Sequence, residues 1–288
     1  MKTAYLIFCF ICFICFKVFA SNELPKKLII GFIPSGNPET IKAESFDLAL
    51  EIEKRIHTPV EVYISKDYSD LVSAMKDKKI DFAFFSALTF VQTEKQTQVK
   101  VLLKKIWEQP YYYATLVSRR DSGIKNLQQL KNKKIAFVDQ NSSSGYLYPM
   151  VWLKKNKFEI KNFKEVIYAG NHQESVRLLE SKKVDVIATF TDDDKLKFGS
   201  WTRFGTGLLK VNKIWISEAI PNDPFCVRQD FYDRYPKLTH DLMFQLIDIN
   251  DQAQLNKKYM NILGSQGLIP ATSRQYDPVR EMVQTLFQ

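Results

Sequence analysis

Three consecutive hydroxyl side chains and a glycine, SSSG at positions 142–145, form the stretch of this sequence best suited to binding a small anion. They follow the apolar run KIAFV (134–138) and precede the amphipathic segment YPMVWLKKN (148–156), which predicts that a strand passes into a helix here. A helix N-terminus carries unpaired N–H groups and a partial positive charge, and hydroxyls add further donors. Helix capping explains one serine. Three serines with a glycine predict a site for a tetrahedral oxyanion.

Five other polar residues are predicted to face the same ligand, because each lies where a strand ends or a helix begins. In the second half of the chain, His172 begins a helix within the sequence GNHQ. In the first half, Tyr68 begins the corresponding helix and Ser86 lies at a strand end. Asp192 and Asp193, in an acidic triplet, follow the corresponding strand of the second half.

The elements that position these residues repeat along the chain. MKDKKIDFAFFS (75–86) and LESKKVDVIATF (179–190) both end an amphipathic helix with a Lys-Lys pair and pass at once into a strand. Other strands and helices align at nearly the same spacing, so each half reads β-α-β-α-β. Short β-branched strands that alternate with helices predict a parallel sheet covered on both faces.

The predicted fold class is therefore α/β, with two doubly wound lobes joined by two hinge strands. Lobe 1 comprises residues 21–113 and 218–288, and lobe 2 comprises residues 114–217. The chain from Phe231 onward is predicted to be helical and to pack on lobe 1. Ligands of open α/β sheets lie at the carboxyl ends of strands, which predicts a ligand in the cleft between lobes that close by hinge motion.

Residues 1–20 combine a basic start, a short apolar run and the small-residue ending VFA, which predicts a signal peptide. A retained membrane anchor is the alternative, kept open by Lys17. Three of the four cysteines fall in this segment, so the mature chain keeps only Cys226 and has no internal disulfide. Export without a disulfide favours a periplasmic location.

Composition and motifs narrow the function further. The net charge of +9 comes largely from scattered lysine pairs without a dense basic block, which argues against a nucleic-acid partner. Three histidines spread along the chain predict no metal site, and no cofactor motif occurs. The serine run lacks the first glycine of a nucleophile elbow. The chain is therefore predicted not to be an enzyme, with a hydrolase as the less favoured alternative.

From about residue 29 to its end, the chain resembles the phosphonate/phosphite-binding proteins of bacterial ABC importers, which are type II periplasmic binding proteins. The motifs that carry the resemblance are, in chain order, DYSDLVSAM, KKIDFAFFSALTFV, DQNSSSGYLYP, AGNHQESVRLLESKKVDV, IPNDPFCVR and QYDPVRE.

The resemblance implies which residues bind. The phosphonate oxygens are held by Ser142, Ser143, Ser144 and His172, with help from Tyr68. Tyr112 and Asp223 line the pocket, and an acid after the strand, Asp192 or Asp193, often binds an amine on the ligand. These acids favour an aminoalkylphosphonate, with plain phosphonate or phosphite as the open alternative.

The expected function is capture of a small phosphorus oxyanion for a membrane permease by a monomeric, periplasmic receptor. The oxyanion is expected to be held by neutral O–H and N–H donors. A sensor that keeps the same binding fold is the alternative, because the cleft would serve either role.

Overall fold

The computed structural model of the protein describes residues 24–33 and 38–287. The predicted signal peptide, residues 1–20, lies outside the described residues. Within the described ranges, no helix combines the length and apolar character that a membrane span requires. In the same ranges, no three His, Cys, Asp or Glu side chains are grouped so that they could hold a metal ion.

The described residues form two sheets with helices packed on their faces. The strands are, in chain order, β1 (Leu28–Phe32), β2 (Val60–Ile64), β3 (Phe82–Phe84), β4 (Val99–Ile106), β5 (Tyr111–Arg119), β6 (Lys134–Phe137), β7 (Glu165–Tyr168), β8 (Val186–Thr191), β9 (Val211–Ile216), β10 (Ile220–Pro221), β11 (Pro224–Arg228) and β12 (Gly267–Pro270). The α-helices are α1 (Pro38–Ile56), α2 (Tyr68–Lys76), α3 (Ala87–Glu94), α4 (Tyr148–Lys155), α5 (His172–Glu180), α6 (Ser200–Phe204), α7 (Gln229–Arg234), α8 (Pro236–Asp251), α9 (Ala253–Lys258), α10 (Met260–Leu263) and α11 (Asp277–Phe287).

The first sheet has the strand order β12-β4-β11-β3-β1-β2, and the second has the order β10-β5-β8-β6-β7 with β9 also paired to β5. In the first sheet β1 runs parallel to β2 and β3. In the second sheet β6 runs parallel to β7 and β8 in the same arrangement. The predicted β-α-β-α-β repeat is therefore confirmed, and it places the starts of α2 and α5 at matching positions.

The parallel strands expected from each repeat are present, but both sheets are mixed because the crossover strands add antiparallel pairs. Strand β11 runs antiparallel to β3 and β4, and β5 runs antiparallel to β8 and β9. Strand β4 carries the chain out of the first sheet and β11 brings it back through the same region, so these two neighbours run in opposite directions. The second sheet also extends a few residues beyond 114–217 at both ends, through β5 and β10. The lobe boundaries stay a prediction.

The C-terminal part of the chain packs on both lobes rather than on lobe 1 alone. Helix α8 packs against α1, as expected. Helix α11 contacts α3 of lobe 1 and α4 of lobe 2, and its Val279 and Val283 share one apolar core with Val151 of α4. The segment also contains a strand, β12, which the helical pattern did not predict. Helix α11 is amphipathic, and its apolar side packs against apolar residues of both lobes. This packing explains why α11 connects the lobes.

Candidate ligand site between the lobes

A cavity of about 120 Å³ lies between the two sheets and is lined from both lobes. It contains nine of the ten residues predicted to bind ligand, namely Ser142, Ser143, Ser144, His172, Tyr68, Tyr112, Ser86, Asp192 and Asp223. Its other polar and charged lining residues are Lys105, Arg203 and Asn222. Aromatic rings complete much of the wall, among them Phe84, Trp107 and Phe190.

The serine run forms a π-helical turn, Ser143–Leu147, that leads directly into α4. Ser142 caps this turn, and its Oγ accepts a hydrogen bond of 3.0 Å from the Gly145 N–H. A Cβ at Gly145 would lie 2.5 Å from side-chain atoms of Val138, so only glycine fits where the turn packs on the strand end. Gly145 thus lets the backbone of the turn approach the protein's own core closely.

Ser143 joins the two lobes. Its Oγ accepts a hydrogen bond of 2.8 Å from the backbone N–H of Leu88, in the first turn of α3. A second hydrogen bond, of 2.8 Å, runs from Gln92 Nε2 on α3 to Asn141 Oδ1 just before the serines. A hydroxyl that already accepts from an N–H keeps its own hydrogen for donation. Ser142 and Ser143 can therefore donate their O–H groups, which are directed to the phenols of Tyr68 and Tyr112 and which an anion would have to draw from them.

Ser86 ends the strand β3 and begins α3. Its Oγ accepts a hydrogen bond of 3.1 Å from the Thr89 N–H and also lies 3.0 Å from Thr89 Oγ1. This N-cap turns the start of α3, with its partial positive charge, towards the serines of lobe 2.

Two phenols line the cavity and remain protonated. Tyr68, the first residue of α2, is buried, and burial raises its pKa, with a hydrogen bond to Ser142 opposing the rise. Tyr112, on β5, has its pKa raised by burial and by the charge of Asp223, while a hydrogen bond to Ser143 lowers it. Both phenols stay neutral donors at neutral pH.

His172 is the first residue of α5, after the N-cap Asn171, whose side chain accepts from the Glu174 N–H at 2.8 Å. Burial, with a smaller effect from the Arg203 charge, lowers the pKa of His172 to about 3. The ring is therefore neutral at physiological pH. Its Nδ1 lies 2.9 Å from Thr189 Oγ1 on β8. When the threonine hydroxyl donates to Nδ1, the proton resides on Nε2 and is available to an anion.

The acidic residues of the cavity are paired with cations that the sequence did not single out. Asp223 Oδ2 lies 3.7 Å from Lys105 Nζ, and Asp192 Oδ2 lies 3.2 Å from Arg203 Nη2. Burial raises the pKa of both carboxyl groups, and the cations oppose the rise. Burial also lowers the pKa of the Lys105 ammonium. The sequence thus predicted the acids of this wall but not the cations that pair with them.

Asp193 is the predicted site residue that does not line the cavity. Its carboxylate accepts hydrogen bonds from the backbone N–H groups of Lys195, Lys197 and Phe198, at 2.9, 3.1 and 2.7 Å. It therefore closes the loop between β8 and α6. Asp192, one residue earlier, points to the cavity instead, because neighbouring residues at a strand end face opposite sides.

Residues 30–276 match the family described as ABC transporter, phosphonate, periplasmic substrate-binding protein. The phosphonates-binding periplasmic protein of Escherichia coli (strain K12) is 26% identical over 270 residues, covering 91% of this chain and 77% of that protein. The phosphate-import protein PhnD of Mycolicibacterium smegmatis is 25% identical over 279 residues, covering 90% and 85%. PhnD1 of Prochlorococcus marinus (MIT 9301), solved in complex with methylphosphonate, has a TM-score of 0.76 at 21% identity, covering 92% of this chain and 99% of that chain.

This chain belongs to the family of periplasmic phosphonate-binding proteins of ABC transporters. The predicted family and the two-lobe, type II binding-protein fold are confirmed. The relatives are substrate-binding proteins rather than enzymes. Lys105 and Arg203 are the charged cavity residues that sequence reasoning missed. The alternation of side chains along β4 was the available signal for Lys105. However, Lys105 belongs to a Lys-Lys pair, and such a pair is typical of a solvated surface.

Proposed function

We propose that this chain captures a small phosphorus oxyanion, a phosphonate or phosphite, between its lobes and presents it to the permease of an ABC importer. One observation carries the proposal: two hydroxyls that each accept from a backbone N–H, and so can donate in turn, meet a neutral, buried imidazole in one cavity. Donors arranged in this way favour the binding of an oxyanion and do not favour the binding of a cation. Family membership supports transport as the role of the site.

The number of donors is sufficient for a receptor. A hydrogen bond to a charged group contributes about 1.5–3 kcal/mol, so four of them contribute about 6–12 kcal/mol before costs. Ordering the ligand and closing the lobes consume part of this, which leaves room for an affinity near micromolar, about −8 kcal/mol. A ligand without the tetrahedral anion would leave the same donors unpaired and would be rejected.

The proposal also covers the cellular role. The chain acts as a monomeric receptor without enzymatic turnover and without a nucleic-acid partner, and it reaches the periplasm through the signal peptide predicted in residues 1–20. Absence of turnover is supported by the partner of the imidazole: among the described residues, the His172 ring bonds through Nδ1 to Thr189 Oγ1 and not to a serine of the run. A nucleophilic serine would instead donate to a histidine base.

Calorimetric titration of the purified protein with phosphite, methylphosphonate, phosphate and sulfate tests the function. We expect a saturable heat for phosphite or methylphosphonate, and a thermal transition that rises with ligand concentration because the ligand binds only the folded state. Ser144→Ala should weaken binding by about tenfold or more through loss of one charge-assisted hydrogen bond. Ser181→Ala is the matched control, because this hydroxyl donates to the Leu178 carbonyl at the end of α5 and lies outside the cavity. No response to any phosphorus oxyanion, or equal responses of the two variants, would end the proposal.

A further inference from the structure

Arg203 occupies part of the ligand cavity while being held by three neighbours. Its Nη2 lies 3.3 and 3.2 Å from the two carboxylate oxygens of Asp192. Its guanidinium lies 4.1 Å above the ring of Trp107 and 4.8 Å above that of Phe190. Trp107 follows β4 of lobe 1, whereas Arg203 belongs to α6 of lobe 2, so this stacking crosses the cleft. An arginine that is paired and stacked on two rings is fixed in place.

This ion pair is one aromatic ring away from the oxyanion donors. The ring of Phe190 contacts the ring of His172 edge to face, with centroids 4.9 Å apart. Phe190, Trp107 and the Arg203–Asp192 pair line the cavity with His172, so a substituent that extends towards Phe190 from an oxyanion held by His172 meets them. The substituent meets a guanidinium and ring faces there, and it meets no unpaired carboxylate.

The charges of the cavity cancel. Four charged side chains line it within the described residues, and they form the pairs Lys105–Asp223 and Arg203–Asp192. A ligand ammonium would have to displace a cation from one of these acids. Removing one partner of a largely desolvated ion pair is costly, because it leaves the other charge uncompensated. This arrangement removes the reason to expect that the acids favour an aminoalkylphosphonate.

The size of the cavity limits the substituent as well. An engineered cavity of about 150 Å³ holds one benzene molecule. A cavity of about 120 Å³ therefore holds about five non-hydrogen atoms. Phosphite and methylphosphonate fit within this limit, and longer substituents must move part of the wall.

Building on the function proposed above, we propose that Arg203 determines the specificity of this site by occupying Asp192 and so excluding phosphonates with a cationic substituent. The ligand class is then phosphite or a phosphonate whose substituent is short and uncharged. Arg203 is a specificity-determining residue in this account, and the oxyanion itself is held by the serines, the tyrosines and His172.

Two isosteric ligands test the charge argument without a change in size: propylphosphonate and 2-aminoethylphosphonate. In the unaltered protein we expect methylphosphonate to bind best and propylphosphonate to bind more tightly than 2-aminoethylphosphonate. Arg203→Gln exposes the Asp192 carboxylate, so the ratio of affinities should shift towards 2-aminoethylphosphonate by at least about tenfold, the lower range measured for close charge pairs. Arg177→Gln removes an exposed arginine that is paired with Glu174 on α5, outside the cavity, and should leave the ratio unchanged.

Asp192→Asn is the second variant, and it keeps the test decisive if Arg203→Gln does not fold. It frees the guanidinium, so phosphonoacetate should gain about tenfold relative to propylphosphonate while 2-aminoethylphosphonate gains nothing. Equal binding of the two isosteres in the unaltered protein, or ratios that neither cavity variant shifts, would overturn the role of Arg203 while the phosphonate function stands. Failure of all the phosphonates and of phosphite to bind would instead overturn the proposed function.

Discussion

Helices α2 and α5 begin in the same way at matching positions of the two lobes, and they present different chemistry to one ligand. Asp67 caps α2 by accepting from the Asp70 N–H at 2.8 Å, and Asn171 caps α5 by accepting from the Glu174 N–H at 2.8 Å. The next residue in each helix is buried and lines the cavity: Tyr68 in lobe 1 and His172 in lobe 2. The repeat thus preserves the position of a donor while the donor itself differs.

Burial makes the two donors alike in charge. It raises the pKa of Tyr68 and lowers the pKa of His172, so that both side chains are neutral at physiological pH. The caps remain different, because Asp67 carries a charge and Asn171 does not. Neutral donors therefore face the ligand from both walls. The two helix starts differ in the donor, which is a hydroxyl in α2 and an imidazole in α5, and in the cap, which is charged in α2 and neutral in α5.

The largest effect is expected from His172→Ala. The substitution removes a donor from the oxyanion, leaves Thr189 Oγ1 without its imidazole partner and opens space beside Phe190. Loss of a hydrogen bond to a charged group costs about 1.5–3 kcal/mol, or about 10-fold to 150-fold in affinity, and we expect the upper half of this range. Titration calorimetry measures it. His240→Ala, which changes a histidine outside the cavity, is the control and should bind like the parent protein. Equal affinities would remove His172 from the site.

The lowered pKa of His172 also predicts how stability depends on pH. In the unfolded chain the imidazole takes up a proton below about pH 6.5. In the folded protein it stays neutral down to its pKa of about 3. Stability from this group is therefore complete above the unfolded pKa and is lost as pH falls towards the folded one.

Comparison with His172→Gln isolates this contribution from that of the carboxyl groups. Between about pH 6.5 and pH 5 the free energy of unfolding of the parent protein should fall by about 1.6 kcal/mol more than that of the variant. Urea denaturation across this pH range gives both curves. Parallel curves would mean that His172 is as easily protonated in the folded state as in the unfolded chain.

Tyr68→Phe should weaken binding less than His172→Ala does, because only a hydroxyl is lost and the ring still fills its place in the core. The expected loss in affinity is about tenfold, from a single hydrogen bond to an anion. Tyr63→Phe is the matched control in the same lobe: the Tyr63 hydroxyl donates to Asp70 Oδ2 at 2.8 Å and lies outside the cavity. If Tyr68→Phe weakens binding more than His172→Ala, lobe 1 supplies the stronger donor and our ranking of the two helix starts is wrong.

The same two helices show what the sequence could predict. The Lys-Lys-Ile/Val-Asp repeat and the capping residues at 67 and 171 are local signals, so the positions of Tyr68 and His172 followed from the chain alone. The antiparallel pairing of β11 with β4 and the docking of α11 on both lobes depend on contacts between distant segments. No short-range pattern encodes such contacts.

The charge of the cavity was the harder part to predict. Asp192 and Asp223 were expected beside the ligand, but their partners Arg203 and Lys105 lie in a short helix and in a lysine pair with ordinary surface composition. A sequence gives the charge of each residue, but only the fold shows which oppositely charged residue lies beside it. For this reason the oxyanion side of the site was easier to anticipate than the side that meets the substituent.

Exchanging the caps isolates the smallest difference between the helix starts. Asn171→Asp retains an oxygen acceptor for the Glu174 N–H but adds a negative charge near the bound anion. At a separation of about 8 Å in a medium close to water this repulsion is about 0.5 kcal/mol, or about twofold in affinity. Asp67→Asn removes the charge from the other cap and should strengthen binding by a similar factor.

Both cap effects should shrink in high salt, because the charges at the caps are screened. Calorimetric titrations of the two variants at low and high ionic strength measure both the change in affinity that each cap substitution causes and its dependence on salt. Opposite signs that converge as salt is added would establish that the caps differ only through long-range charge. Equal signs, or effects that salt does not change, would show that a cap substitution moves the helix start and the donor that follows it.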